Sequence, residues 1–182
     1  MKSLRILICS ILLFSVFMGD EGNCQPFSVR TGLYIFTDNT SSEFYLLAPT
    51  LLAGYDLWKK SRLSLNLASG LSFNSFKYND HRHNLYMVPL MVTVNYGFLN
   101  PGTRVRPFIG MGMELMGKAD QNRDFEKTIW SLTYGYHATG GLRWRLNRKL
   151  LLTFDMTWNL LMPPVMEDVN MSGIILMVGV KI

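Results

Sequence analysis

Cysteine is nearly absent. The chain holds two, Cys9 and Cys24, and both precede the first strand-like segment. A chain processed after Cys24 has no thiol, which excludes a disulfide framework and any thiolate metal site. Histidine is scarce as well, with three residues in the whole sequence. Charged residues make up 17%, against about 25% in ordinary globular domains. Beyond the N-terminus no run reaches the roughly 18 continuous apolar residues of a membrane-crossing helix. Linkers, low-complexity tracts and solenoid repeats are also missing, so one domain is expected. Yet 48% of the residues are hydrophobic, and they lie in alternation rather than in runs.

The clearest case is 130–146, WSLTYGYHATGGLRWRL. Trp130, Leu132, Tyr134, Tyr136, Ala138, Leu142, Trp144 and Leu146 share one parity. Ser131, Thr133, Gly135, His137, Thr139, Gly141, Arg143 and Arg145 share the other. Side chains alternate faces along a strand, so one face is apolar and the other small or polar. The run is long for a strand of about 5–6 residues. Its apolar face carries aromatics near both ends, as a bilayer-crossing strand of roughly 9–11 tilted residues does.

The pattern repeats. About eight strand-like segments follow one another at 25–36, 43–57, 62–76, 84–98, 104–116, 130–146, 149–161 and 171–182. Their apolar parities include Val29 and Leu33, Tyr45 and Leu51, Leu65 and Leu71, Val92 and Val94, Met111 and Met113, Phe154 and Trp158, and Leu176 and Val178. Tight, turn-forming connections (Lys59-Lys60-Ser61, Asn100-Pro101-Gly102-Thr103, Asn147-Arg148) alternate with longer polar ones at 37–42, 77–83, 117–128 and 162–170. Short periplasmic turns and long external loops characterise outer-membrane barrels. The sequence therefore predicts an all-β fold, an antiparallel up-and-down transmembrane β-barrel of about eight strands. Only a closed sheet satisfies every backbone group in hydrocarbon.

The N-terminus reads as a signal peptide. Lys2 and Arg5 precede an apolar stretch, 6–18, broken by Gly19, Asp20, Glu21 and Gly22. The expected division is a signal peptide over 1–24 and a barrel over 25–182, with Gln25 as the new N-terminus. A lipidated Cys24 is the rival reading, and Glu21-Gly22-Asn23 fits that signal poorly. The predicted location is the outer membrane of a Gram-negative bacterium. The net charge of +5 would suit nucleic acid or a membrane surface. A secreted chain without a nucleic-acid motif points away from the former.

Eight strands leave a lumen about filled by side chains, so no open pore is expected. The inward parity carries glycines, hydroxyls and charges: Arg30, Asp56, Arg106, Glu114, Arg143, Arg145, Asp155 and Lys181. Buried charges must be paired or solvated. The candidate site is an interior polar network of Arg106, Glu114, His137, Arg143 and Asp155. Counting back from Asn147-Arg148 places Asp155 one diagonal step from Arg143, which suggests that pair.

Val88-Pro89-Leu90, Tyr96-Gly97-Phe98, the Asn100-Pro101-Gly102 turn and Arg106-Pro107-Phe108-Ile109-Gly110-Met111-Gly112 together resemble the small outer-membrane barrel domains of Bacteroidota, the PorT-like and OmpA-like group. The resemblance implies eight strands and an outer-membrane location, and some PorT-like barrels are secretion-linked. Such barrels usually end in an aromatic residue read by the barrel-assembly machinery. This chain ends Val178-Gly179-Val180-Lys181-Ile182.

No enzymatic chemistry stands out. Asp80-His81-Arg82-His83 offers two histidines but no third ligand, so no metal is assigned. His137 lies on the inward parity, with no His-x-Ser nearby, and is expected to be a hydrogen-bonded interior residue. Gly110-x-Gly112 sits inside a strand without a following helix and is not a dinucleotide loop. The expectation is a non-enzymatic, monomeric barrel without cofactor or catalytic residues. Its partners would be outer-membrane lipid and the assembly machinery, and its role structural or interaction-based, through the external loops. The rivals are an outer-membrane lipid-modifying enzyme and a soluble lipocalin-like carrier with its apolar face inside.

Overall fold

A computed structural model of the chain describes residues 27–38, 42, 45–78, 81–100, 102–122, 127–147, 150–162 and 170–182. The expected signal segment, 1–24, and Gln25 lie outside the described residues.

Eight strands run in sequence order: β1 Phe27–Phe36, β2 Leu47–Lys60, β3 Leu63–Tyr78, β4 His81–Gly97, β5 Val105–Asn122, β6 Lys127–Arg145, β7 Leu151–Leu161 and β8 Gly173–Lys181. Each pairs antiparallel with the next, and β8 pairs back onto β1, closing the barrel. Through the apolar belt every strand is paired on both sides, as a sheet in hydrocarbon requires, and only the upper ends of β3 and β6 run past their β2 and β7 partners.

The parities fall as the alternation predicts. Along β7, Leu151, Thr153, Asp155, Thr157, Asn159 and Leu161 are buried, while Phe154, Met156, Trp158 and Leu160 are exposed. On β5 and β6 the outward apolar residues include Met111 at 72% exposure and Trp130 at 78%. This outer surface is a continuous apolar wall. A soluble monomer rarely exposes more than a few hundred Å² of contiguous apolar surface. The lipocalin-like carrier, which needs the opposite orientation, is overturned.

Two sequence expectations shift, and a bulge adds a third departure from simple alternation. First, the polar stretches 77–83 and 117–128 are largely strand rather than loop. β3 runs to Tyr78 and β4 begins at His81, while β5 and β6 keep their ladder out to Asn122↔Lys127. Ladder bonds are between backbones, so strand pairing continues past the apolar belt that marks it in the sequence. Strands β3 to β6 hold 16, 17, 18 and 19 residues, against 11, 9 and 10 in β7, β8 and β1. One side of the barrel therefore stands tall beyond the membrane, forming a rim.

Second, Tyr45 does not face outward. It precedes β2 and is buried, with its ring 5.3 Å from Phe36 and 4.7 Å from Phe76. The amide of Asn74 donates to the carbonyls of Tyr45 and Leu47, and Leu46 between them takes a positive φ of 44°. That local reversal tucks Tyr45 into the barrel mouth. Third, a bulge between Asp56 and Trp58 shifts the β2–β3 register. Trp58 consequently reaches the outer surface, although simple alternation would turn it inward.

Candidate functional site

The interior has two storeys. At the tight-turn end it is polar and charged. The Lys181 ammonium pairs with the Asp56 carboxylate, and the Asn66 amide donates to Asp56 Oδ1 at 3.0 Å. Slightly deeper, Arg30 Nη1 donates to Asp155 Oδ2 at 2.9 Å. At mid-height His137 Nε2 and Thr93 Oγ1 are 2.9 Å apart, and Thr157 donates to Thr139 at 3.1 Å.

Toward the rim the filling becomes apolar. Tyr34, Phe36, Tyr45, Leu85, Met87, Met116, Leu161, Met171 and Ile175 are all buried in one cluster. Polar groups continue among this cluster, with buried Ser72 and Lys118 directly opposite Met87 on its two neighbouring strands. The sequence carries this apolar filling too, because Met87, Met116 and Ile175 occupy the inward parity. Between the storeys lies a cavity of about 40 Å³ bordered by Arg30, Asp56, His137, Arg143 and Asp155. That is room for about two to four waters, by the roughly 10–15 Å³ each requires.

Each candidate network residue points inward, but the five do not form one network. Arg143 lies opposite Thr153, so Asp155 is on the expected diagonal. Its ion pair is nevertheless with Arg30 on β1, the next strand but one, past β8. Arg143 instead places its guanidinium carbon 4.2 Å over the Phe108 ring. Arg106 is the direct cross-strand neighbour of Arg143 and is 8% exposed. Glu114 is buried opposite Met91, and neither of its oxygens has a hydrogen-bond partner among the described residues. His137 is held by Thr93 in the lumen, directed away from lipid. Alternation gives the face of each charge. It does not give pairs such as Arg30–Asp155 or Asp56–Lys181, each separated by 125 positions, because closure alone brings them together.

Of the Asp80-His81-Arg82-His83 stretch, Asp80 and the His81 side chain lie outside the described residues. His83 stacks on Phe76 at 5.1 Å and reaches Asp120 Oδ1 at 3.1 Å and Asn122 Nδ2 at 3.2 Å. Asp120 Oδ2 in turn accepts from the Tyr45 hydroxyl at 3.4 Å. His83 therefore ties the tall rim to the aromatic plug. Among the described residues no group of three His, Cys, Asp or Glu side chains could hold a metal ion.

The outward surface completes the picture. Trp58, Tyr96, Phe98 and Trp144 ring the tight-turn end, while Phe73, Tyr86 and Trp130 stand at the upper edge of the belt, all exposed or half-exposed. Two aromatic girdles bounding an apolar band around a closed antiparallel barrel are the marks of bilayer residence. The fold is that of a small outer-membrane β-barrel.

Solved structures agree on that fold. The barrel is similar to Neisserial surface protein A, with 15% identity, a TM-score of 0.64 and coverage of 89% of this chain and 99% of that one. It is similar to the outer membrane protein OprG from Pseudomonas aeruginosa, with 11% identity, a TM-score of 0.65 and coverage of 85% and 93%. It is also similar to Ail, the attachment invasion locus protein of Yersinia pestis, with 7% identity, a TM-score of 0.57 and coverage of 86% and 95%. No family model matches the chain, and no curated protein matches its sequence.

Proposed function

We propose that this protein is a closed, non-enzymatic and monomeric barrel of a Gram-negative outer membrane that acts through its tall β3–β6 rim. The observation that carries this reading is the asymmetry of the barrel. Its lumen is sealed by an apolar plug above and charge pairs below, while its four longest strands project past the membrane on one side. A sealed lumen offers no route for a solute, and a standing sheet offers a rigid surface for contact. Closure of β1 onto β8 leaves no edge at the two terminal strands for exchange with a second copy. Inward-facing His137, bonded to Thr93, has no path to a lipid ester. The resemblance to Bacteroidota PorT-like barrels, carried by Val88-Pro89-Leu90 and the Arg106–Gly112 segment, supports a secretion-linked setting for that rim.

Planar-bilayer recording with the full chain tests the closed lumen. No discrete conductance steps are expected, and stable single-channel steps would overturn it. A photo-crosslinking residue at the rim, in place of Gln121, tests the contact role in intact outer membranes. One discrete protein adduct is expected there, and none from a residue at position 60 in the tight-turn end. Adducts from both ends, or from neither, would reject the rim as the working surface.

A further inference from the structure

The net charge of +5 is unevenly placed. Each tight turn carries cations: Lys60 and Arg62 after β2, Arg104 before β5, Arg145 at the end of β6. The side-chain carboxylates near this end among the described residues are Asp56 and, deeper, Asp155. Each is already matched, Asp56 by Lys181 and Asp155 by Arg30.

Inside the mouth the excess is sharper. Arg106 and Arg143 are direct cross-strand partners on β5 and β6. Like charges placed opposite one another on a sheet destabilise it. The Arg106 Nε is buried without a hydrogen-bond partner among the described residues, and the Arg143 guanidinium lies on the face of Phe108, attracted from deeper in the lumen by Asp56 and Asp155, which already pair with Lys181 and Arg30. These two arginines, with Lys59 and Arg62, border a cavity of about 20 Å³ that contains no acidic side chain among its walls. Two arginines bordering a cavity whose own walls hold no carboxylate are an arrangement that an anion would complete. Planar guanidinium forks match a tetrahedral oxyanion with paired, charge-assisted hydrogen bonds. The cavity is water-sized as it stands, so a larger anion must displace the exposed Arg62 side chain on its open flank.

The geometry points to a phosphate-binding site at the periplasmic mouth of the barrel, formed by Arg106 and Arg143 and flanked by Lys59 and Arg62. The phosphate has two available sources, a free inorganic ion or the headgroup of an anionic phospholipid in the leaflet beside the tight turns. The site is separate from the rim and stands or falls independently of the rim's role.

The test uses the full chain folded in zwitterionic detergent. Inorganic phosphate is titrated against chloride at matched ionic strength, and the unfolding midpoint and the arginine Nε–H NMR signals are followed. Phosphate, and not chloride, should raise the midpoint and shift two arginine signals. In R106Q/R143Q the midpoint response should vanish, while K60Q, an exposed cation outside the cavity, should keep it. R143K, which retains charge but loses the fork, should bind about tenfold more weakly, the loss expected for one charged hydrogen bond. In nanodiscs, phosphatidylglycerol is then compared with phosphatidylcholine. A response to phosphatidylglycerol alone assigns the site to a lipid headgroup, and a response to inorganic phosphate assigns it to a free anion. The proposal is overturned if neither probe moves the wild-type midpoint or its arginine signals beyond the controls. It is equally overturned if R106Q/R143Q responds as the wild type does. Should that variant not fold, the signals of the unmodified protein decide.

Discussion

Arg30 and Asp155 meet inside the lumen over β8, Nη1 to Oδ2 at 2.9 Å, from strands that are not neighbours in the sheet. Both side chains are largely withdrawn from solvent. Removing one partner of such a pair leaves a buried charge uncompensated, at a cost of about 3–5 kcal/mol. D155A should therefore lower barrel stability by that order, because Arg30 would then face Arg143 without a carboxylate between them. Replacing both members, as in R30M/D155L, should recover most of the loss. A double-mutant cycle on urea unfolding in bilayers measures it. Additive losses would show that the pair does not act as a unit.

Face alternation in β6 is tested by thiols. The chain beyond Cys24 contains no cysteine, so single substitutions are unambiguous. Tyr134 is 57% exposed and Thr133 is 4% exposed. Polarity-sensitive labels at 134, 136 and 138 should be quenched by lipid-borne quenchers, and labels at 133, 137 and 139 should not. Quenching without a period of two would reject the assigned faces.

Two glycines of β5 should respond oppositely to alanine. A methyl group on Gly112 would lie 1.9 Å from the Val92 carbonyl oxygen and 2.8 Å from the His137 ring. On Gly117 the nearest contact would be the Val88 carbonyl oxygen at 3.8 Å. G112A should cost about 1–3 kcal/mol through overpacking. G117A should be neutral or stabilise by about 0.4–1 kcal/mol, because it restricts the unfolded chain. Denaturation midpoints of the two variants, compared directly, check the difference.

Tyr45 closes the upper storey between Phe36 and Phe76. Y45A should destabilise by about 3–5 kcal/mol, as removal of a buried aromatic does. It should also speed hydrogen exchange of the adjoining backbone. Y45F should cost no more than about 1 kcal/mol, because the bond from the hydroxyl to Asp120 is long, at 3.4 Å. Equal losses in the two variants would place the energy in that bond rather than in the ring packing.

The sequence by itself determined the strand number, the antiparallel order, the outward face of each strand and bilayer residence. Residues such as Leu132, Tyr134 and Tyr136 encode that information locally, because a strand turns every second side chain the same way and lipid accepts only apolar ones. Local alternation is silent wherever backbone pairing or closure decides. It missed the tall rim, where Asn84↔Gln121 and Asn122↔Lys127 extend the ladder without an apolar face. Trp58 was displaced by a bulge, and Tyr45 was turned inward by the bend at Leu46. The partners of the interior charges were also beyond it. Arg143 and Asp155 are diagonal neighbours by count, yet Asp155 pairs with Arg30, and Arg143 rests on Phe108 facing Arg106. Distances across a closed lumen follow from the curvature and register of all eight strands together, and no single stretch of sequence carries that information.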